Sequence, residues 1–173
     1  MQSIKWNNKK INKIINVLLI GCGKIGGGSL DKDILDISHS ASLLANPNYR
    51  ILAIVDHDLA KAEKVANIHN CRIFGRNINI IDNLEDNIDL AVIASPTNTH
   101  ELFIKNILKK KIKNIFCEKP MCSNLFAFKN IIKDTREKNI NLIINYPRRW
   151  DIKLLETILK INKGRWGSIL SIH

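Results

Sequence analysis

Aromatic side chains make up only 6% of the 173 residues, and the chain has 7 arginines against 20 lysines. A nucleic-acid-binding surface gathers arginine and aromatics on one face. Here the basic residues are scattered, so the formal net charge of +11 does not by itself point to DNA or RNA. The 31 Ile, 21 Asn and 20 Lys give that charge a blander origin in AT-rich codon usage. Four cysteines, Cys22, Cys71, Cys117 and Cys122, form no CxxC pair, and no histidine stands at zinc-ligand spacing from them, so no metal site is expected. A chain with 45% hydrophobic residues can build a core without a disulfide scaffold, and free thiols in a reducing cytoplasm are expected. No apolar run approaches the ~20 residues of a membrane-spanning helix. No internal repeat recurs at a fixed period.

The N-terminus imitates an export signal. Residues 1–13 are basic, residues 14–20 are mostly apolar, and Leu19-Ile20-Gly21-Cys22 resembles a lipoprotein cleavage site. The apolar stretch is short and is interrupted by Asn16, which favours a retained loop over a cleaved leader.

The length suits one domain with a short appendage. Residues 1–15 read as a loose tail, 16–150 as the domain, and 151–173 as a linking helix followed by the first strand of a second domain. Buried-strand signals recur at Val17–Ile20, Arg50–Asp56, Asp89–Ala94, Asn114–Cys117 and Asn141–Asn145, with a shorter one at Cys71–Phe74. Between them lie helical patterns. Leu59–Ile68 turns Leu59, Ala62, Val65 and Ala66 to one side behind Asp58 as cap, and 101–111 turns Leu102, Ile104, Ile107 and Leu108 inward. Residues 124–138 and 151–161 form two more, and 38–46 another. Strands alternating with helices of this length give a doubly wound parallel α/β sheet. Residues 164–173 read as a turn and then a strand over 168–172.

The chemistry gathers at the strand ends. Gly21-Cys22-Gly23-Lys24-Ile25-Gly26 is GxGxxG directly after the first strand. Gly21 permits the tight turn, Gly23 lets a pyrophosphate approach the backbone, and Gly26 permits close helix–strand packing. The second strand ends in Asp56, whose carboxylate can accept from both ribose hydroxyls and would repel a 2′-phosphate, favouring NAD over NADP. Gly26 to Asp56 is longer than the ~20 residues usual for this motif, and residues 29–36 look like the insertion. The alternative for Asp56 is a surface carboxylate capping the next helix. The third long strand leads to Ser95-Pro96-Thr97, with His100 in the following first turn, either at the crevice or on the surface. The fourth ends in Glu118-Lys119-Pro120, where Lys119 is a candidate proton donor and Pro120 fixes a turn, a cis bond being one way. The fifth leads to Arg148 and Arg149, which would hold an anionic substrate or anchor the next helix.

In this order the motifs resemble the glucose–fructose oxidoreductase / inositol dehydrogenase (Gfo/Idh/MocA) family, with Glu118-Lys119-Pro120 the most specific of them. The resemblance covers roughly residues 16–173. It implies an NAD(P)-dependent oxidoreductase of sugar, sugar-nucleotide or cyclitol hydroxyls, with Lys119 matching the catalytic lysine. It also implies that Glu118 orients that lysine and the nicotinamide ribose, and that 95–97 lies along the cofactor. Family members are about twice as long, and their second domain holds substrate, carries a catalytic histidine and usually makes the oligomer interface. His173 does not match that histidine, and Pro147 stands where relatives often have a polar residue. The expectation is a cofactor-binding portion whose partner is a second copy or a complementary C-terminal half. The alternatives are a non-catalytic dinucleotide-binding module and half of a split enzyme.

Overall fold

Val17-Leu18-Leu19-Ile20 offers apolar side chains to both faces of a strand, so its stable position is the middle of a sheet covered on both sides. All four residues are fully buried there. The computed structural model describes residues 13–28, 37–82, 84–110, 112–168 and 170–171. Strand β1 (Ile15–Ile20) is followed by helix α1 (His39–Leu44), β2 (Tyr49–Val55), α2 (Leu59–Ile68), β3 (Phe74–Gly75), β4 (Leu90–Ile93) and α3 (Thr97–Ile107). Then come β5 (Asn114–Glu118), α4 (Leu125–Glu137), β6 (Asn141–Asn145) and α5 (Ile152–Asn162), with 3-10 turns at Ile78–Ile81 and Pro147–Trp150. The strands lie in the order β3-β2-β1-β4-β5-β6, and every neighbouring pair is parallel. The order reverses direction between β1 and β4, which opens a crevice at the carboxyl ends of those strands.

Side chains of β1 alternate between two cores. Leu18 and Ile20 join Ile104 and Ile107 of α3, Ile115 of β5 and Ile131 of α4. Val17 and Leu19 join Ala62, Val65 and Ala66 of α2 on the opposite face. Four helices are capped by the short polar side chain that precedes them: Ser38 accepts from Ala41 N–H, Asp58 from Ala60 and Lys61, Asn124 from Ala127, and Asp151 from Leu154. Lys138 donates to Leu108 O and Lys113 to Lys138 O, so part of the positive charge closes helix ends.

Several expectations are corrected. Helix α3 begins at Thr97, ahead of the expected 101, and its buried stripe runs His100, Ile104, Ile107, while Leu102 is 58% exposed. Position 102 lies two residues from His100 and Ile104, on the far side of a 3.6-residue turn. Leu59 is also exposed, leaving Ala62, Val65 and Ala66 as the inner face of α2. The short third strand is Phe74–Gly75, because Cys71 N–H is taken by Ala66 O at the end of α2. Of the tail expected over 1–15, Ile15 pairs with Tyr49 and Lys13 reaches Asp89 at 2.7 Å, while residues 1–12 fall outside the described residues. Of the strand expected at 168–172, Ser168, Leu170 and Ser171 lie outside any strand, while Ile169, Ile172 and His173 fall outside the described residues, as do residues 29–36. Among the described residues no helix is long and apolar enough to cross a membrane.

Candidate functional site

The loop after β1 is held by backbone contacts too close for any side chain but hydrogen. Gly21 has φ +94°, and a Cβ there would stand 2.5 Å from Ser95 N. A Cβ on Gly26 would stand 1.9 Å from Gly21 O. Gly23 differs: it is exposed and a Cβ would meet nothing within 4 Å. The first and last glycines of the motif therefore serve packing, and the middle one leaves its backbone open to an approaching group. Lys24 and Ile25 beside it are exposed. This cradle fits a dinucleotide pyrophosphate.

Asp56 ties that loop to β2. Its Oδ2 accepts from Cys22 N–H at 2.6 Å and its Oδ1 from Asp58 N–H at 2.7 Å, and the residue is only 7% exposed. It is not a surface cap, since Asp58 caps α2. Burial pushes the neighbouring Cys22 thiol up to about 12, with smaller contributions from Asp56 and Cys71.

A cavity of about 690 Å³ opens at the carboxyl ends of β4, β5 and β6. Ile25 lines it from the glycine loop, Ser38, His39 and Ser42 from α1 and its cap, and Ser95, Pro96, Thr97 and His100 from the start of α3. Glu118 and Lys119 line it from β5, and Asn145, Pro147 and Trp150 from the end of β6 and the turn after it. Gly21, Cys22, Gly23, Lys24 and Gly26 lie on the adjoining loop and Asp56 at the end of β2, rather than in this lining. Arg148 and Arg149 are exposed and are not part of the lining, although Pro147 and Trp150 on either side of them are.

His100 is 1% exposed, so it is not a surface histidine. Its Nδ1 stands 2.8 Å from Pro120 O and its Nε2 2.7 Å from Ser95 O. A backbone carbonyl thus faces each ring nitrogen, and the residue also lines the cavity. The ring braces the 95–97 loop against the Lys119–Pro120 turn, whose peptide bond is cis.

Sequence reasoning missed two residues. His39 Nε2 lies 2.8 Å from Glu118 Oε1, and Asn145 Nδ2 donates to the same oxygen at 2.7 Å. Trp150 Nε1–H in turn donates to Asn145 Oδ1 at 3.2 Å. His39 stands 79 positions from Glu118 and behind the 29–36 segment, so no local spacing announces it. The only signal was a histidine directly after the Ser38 cap. Lys119 is exposed and has no ion-pair partner among the described residues.

The model of the oxidoreductase family with an NAD-binding Rossmann fold matches residues 15–146. Inositol 2-dehydrogenase of Rhizobium meliloti (strain 1021) is 31% identical over 150 residues, covering 85% of this chain and 42% of the relative. Among solved structures, myo-inositol 2-dehydrogenase from Lactobacillus plantarum aligns with a TM-score of 0.77 and 22% identity over 91% of this chain and 43% of that one. The WlbA dehydrogenase from Bordetella pertussis, in complex with NADH and UDP-GlcNAcA, aligns with a TM-score of 0.75 and 19% identity over 91% and 42%. The chain thus spans less than half the length of these relatives. With the model covering most of the chain and the strand order and glycine loop in agreement, this chain belongs to the Gfo/Idh/MocA oxidoreductase family, in its NAD-binding Rossmann portion.

Proposed function

We propose that the chain binds NAD(H) across the carboxyl edge of its sheet and forms the cofactor-binding portion of a dehydrogenase of sugar, sugar-nucleotide or cyclitol hydroxyls. The convergence of the glycine-loop residue Ile25, the 95–97 loop and Glu118-Lys119 on one cavity carries this reading. In it the pyrophosphate rests against Gly23, and Asp56 uses its remaining acceptor capacity for the adenosine ribose. A carboxylate has roughly four lone-pair sites, of which backbone N–H groups occupy two here, with His57 Nδ1 3.1 Å from Oδ1. That carboxylate would repel a 2′-phosphate, which favours NAD over NADP. Ser95, Pro96 and Thr97 flank the cofactor, Glu118 holds the nicotinamide ribose, and His100 braces both loops from beneath. When bound, the cofactor supplies a nicotinamide carbon that exchanges hydride with the substrate. Lys119, unpaired at the cavity wall, manages the proton of the substrate hydroxyl.

Arg148 and Arg149 are proposed as substrate contacts at the cavity rim. Residues 151–173 are proposed to begin a second domain, met through a second copy or a complementary half. The free and mostly buried cysteines support a reducing compartment, the cytoplasm. Groups that orient a substrate can contribute ~7–11 kcal/mol of a barrier, so cofactor binding is the primary readout and turnover the secondary one. Calorimetric titration is expected to show NADH binding tighter than NADPH. At a hundredfold excess over the dissociation constant, NADH is expected to raise stability by about 2.7 kcal/mol. No heat and no melting shift at millimolar NADH would refute the reading.

A further inference from the structure

Glu118 and Lys119 are adjacent at the end of β5 and line the same cavity, yet they do not pair. Glu118 is held by two donors. Its Oε1 takes two hydrogen bonds, from His39 Nε2 at 2.8 Å and from Asn145 Nδ2 at 2.7 Å. A carboxylate only accepts, so Nε2 of His39 carries the hydrogen. His39 is fixed in three directions. Its backbone N–H donates to Ile25 O at 2.9 Å, its ring meets Phe116 edge-on with centroids 5.6 Å apart, and its Nε2 reaches Glu118. Its side chain is 16% exposed and that of Glu118 is 14% exposed, so water competes weakly for the bond.

We infer that His39 is a positioning residue which, together with Asn145, captures Glu118 by one oxygen, leaving the other oxygen for the bound cofactor and leaving the Lys119 ammonium unpaired. Through its backbone bond to Ile25, the same residue links the glycine loop to the Glu118-Lys119 pair, so the two halves of the crevice keep one geometry. The inference rests on the proposed function for the part that concerns the cofactor, and on this chain alone for the part that concerns Lys119.

The test uses the full chain carrying His39→Phe, which keeps an aromatic ring against Phe116 without a donor, and His39→Gln, which restores an N–H donor. Glu118→Gln is made alone and combined with His39→Phe. The first readout needs no cofactor: the rate at which limiting acetic anhydride modifies Lys119, followed by peptide mass spectrometry. The rate is expected to fall several-fold in His39→Phe, because the released Glu118 pairs with Lys119. It is expected to recover in His39→Gln and to show no fall when His39→Phe is placed in the Glu118→Gln background. A merely structural role would leave the rate unchanged or raise it, and either result overturns the inference, as does an equal fall in the Glu118→Gln background.

The second readout is NADH affinity, expected to weaken about tenfold in His39→Phe, the size of one lost hydrogen bond to a charged group, and not to weaken further in the Glu118→Gln background. If His39→Phe lowers the melting temperature by more than ~5 °C, Asn145→Ala is read in its place, since it removes the other donor to the same oxygen and predicts the same fall at Lys119. Failure of the wild-type chain to bind NADH would refute the proposed function, while the Lys119 rates would still decide the role of His39.

Discussion

Gly23 and Gly26 stand three residues apart in one loop, and the structure assigns them opposite jobs. Alanine at position 26 would place its Cβ 1.9 Å from Gly21 O, 2.9 Å from Gly21 C and 3.1 Å from the Ala94 side chain. The first two obstacles are backbone, and no rotamer change relieves them. The loop or the end of β4 must move by more than an ångström, and overpacking of that kind costs roughly 1–3 kcal/mol, with the upper end expected where backbone must give. For a chain of this size each kcal/mol corresponds to ~2–4 °C, so Gly26→Ala is expected to melt about 5–10 °C below wild type. Gly23→Ala meets nothing within 4 Å and its φ is not in the left-handed region, so its melting temperature is expected to stay within ~1 °C of wild type. Its methyl group would stand where the proposed cofactor's pyrophosphate approaches, and NADH affinity is expected to fall at least about tenfold. Differential scanning calorimetry and NADH titration on the two variants separate the jobs. A stable Gly26→Ala variant would refute the packing argument. A Gly23→Ala variant that binds NADH like wild type would refute the cradle.

Three further outcomes follow from local electrostatics and exposure. A hydrogen bond from the Lys13 ammonium, aided by Asn16 N–H, holds the Asp89 carboxyl below its usual range. The folded value is depressed, so this stabilisation is complete above the unfolded value of about 3.9 and is lost as pH falls through the folded one. Urea midpoints of wild type and Asp89→Asn are therefore expected to differ at neutral pH and to converge in acid. Burial lowers His69 despite its hydrogen bond with Ser40, so its neutral form contributes stability above about pH 6.5 that fades as pH falls below it. A His69→Gln variant is expected to flatten the decline in urea midpoint between pH 7 and 5, and an unchanged slope would count against this. Burial pushes Cys117 up to about 12, as it does Cys22, and Cys71 is raised too. Only Cys122 is partly accessible, so a thiol-specific chromogenic reagent is expected to titrate one fast group in the folded chain and four after denaturation. Two or more fast groups would sink that reading.

The periodic parts of the fold were legible because a single interaction dominates each. Strand β6 and helix α2 fall on the residues their apolar pattern marks, and Asp58 starts its helix where its side-chain oxygen can accept from the first free N–H groups. The pattern misled where a polar residue took an apolar place: His100 occupies the buried stripe of α3 and displaces Leu102 to the surface. Burial there is made tolerable by two carbonyl partners, and neither lies within the helix's own apolar period. The glycine loop, Ser95 and Glu118-Lys119 were legible as a candidate site because each stands at the carboxyl end of a strand. The His39–Glu118–Asn145 triad was not, since its members come from three elements and meet only once the sheet is assembled. Asp56 was identified at the strand end, but its tie to Cys22 N–H spans 34 positions and belongs to the tertiary structure.

Helix α5 has an apolar side that nothing in the described chain covers: Ile152, Leu155, Ile158 and Leu159 are all exposed, and no residue of the helix is buried. Eleven residues are fewer than the ~12–15 at which an isolated helix holds itself in water. Its order therefore draws on the Asp151 cap and on the turn before it, and not on the free energy that locks β1 between two cores. The cooperative unit is therefore expected to end near Trp150. Amide hydrogens of α5 would trade with solvent through local fraying, while those of β1 would wait for the whole sheet to open.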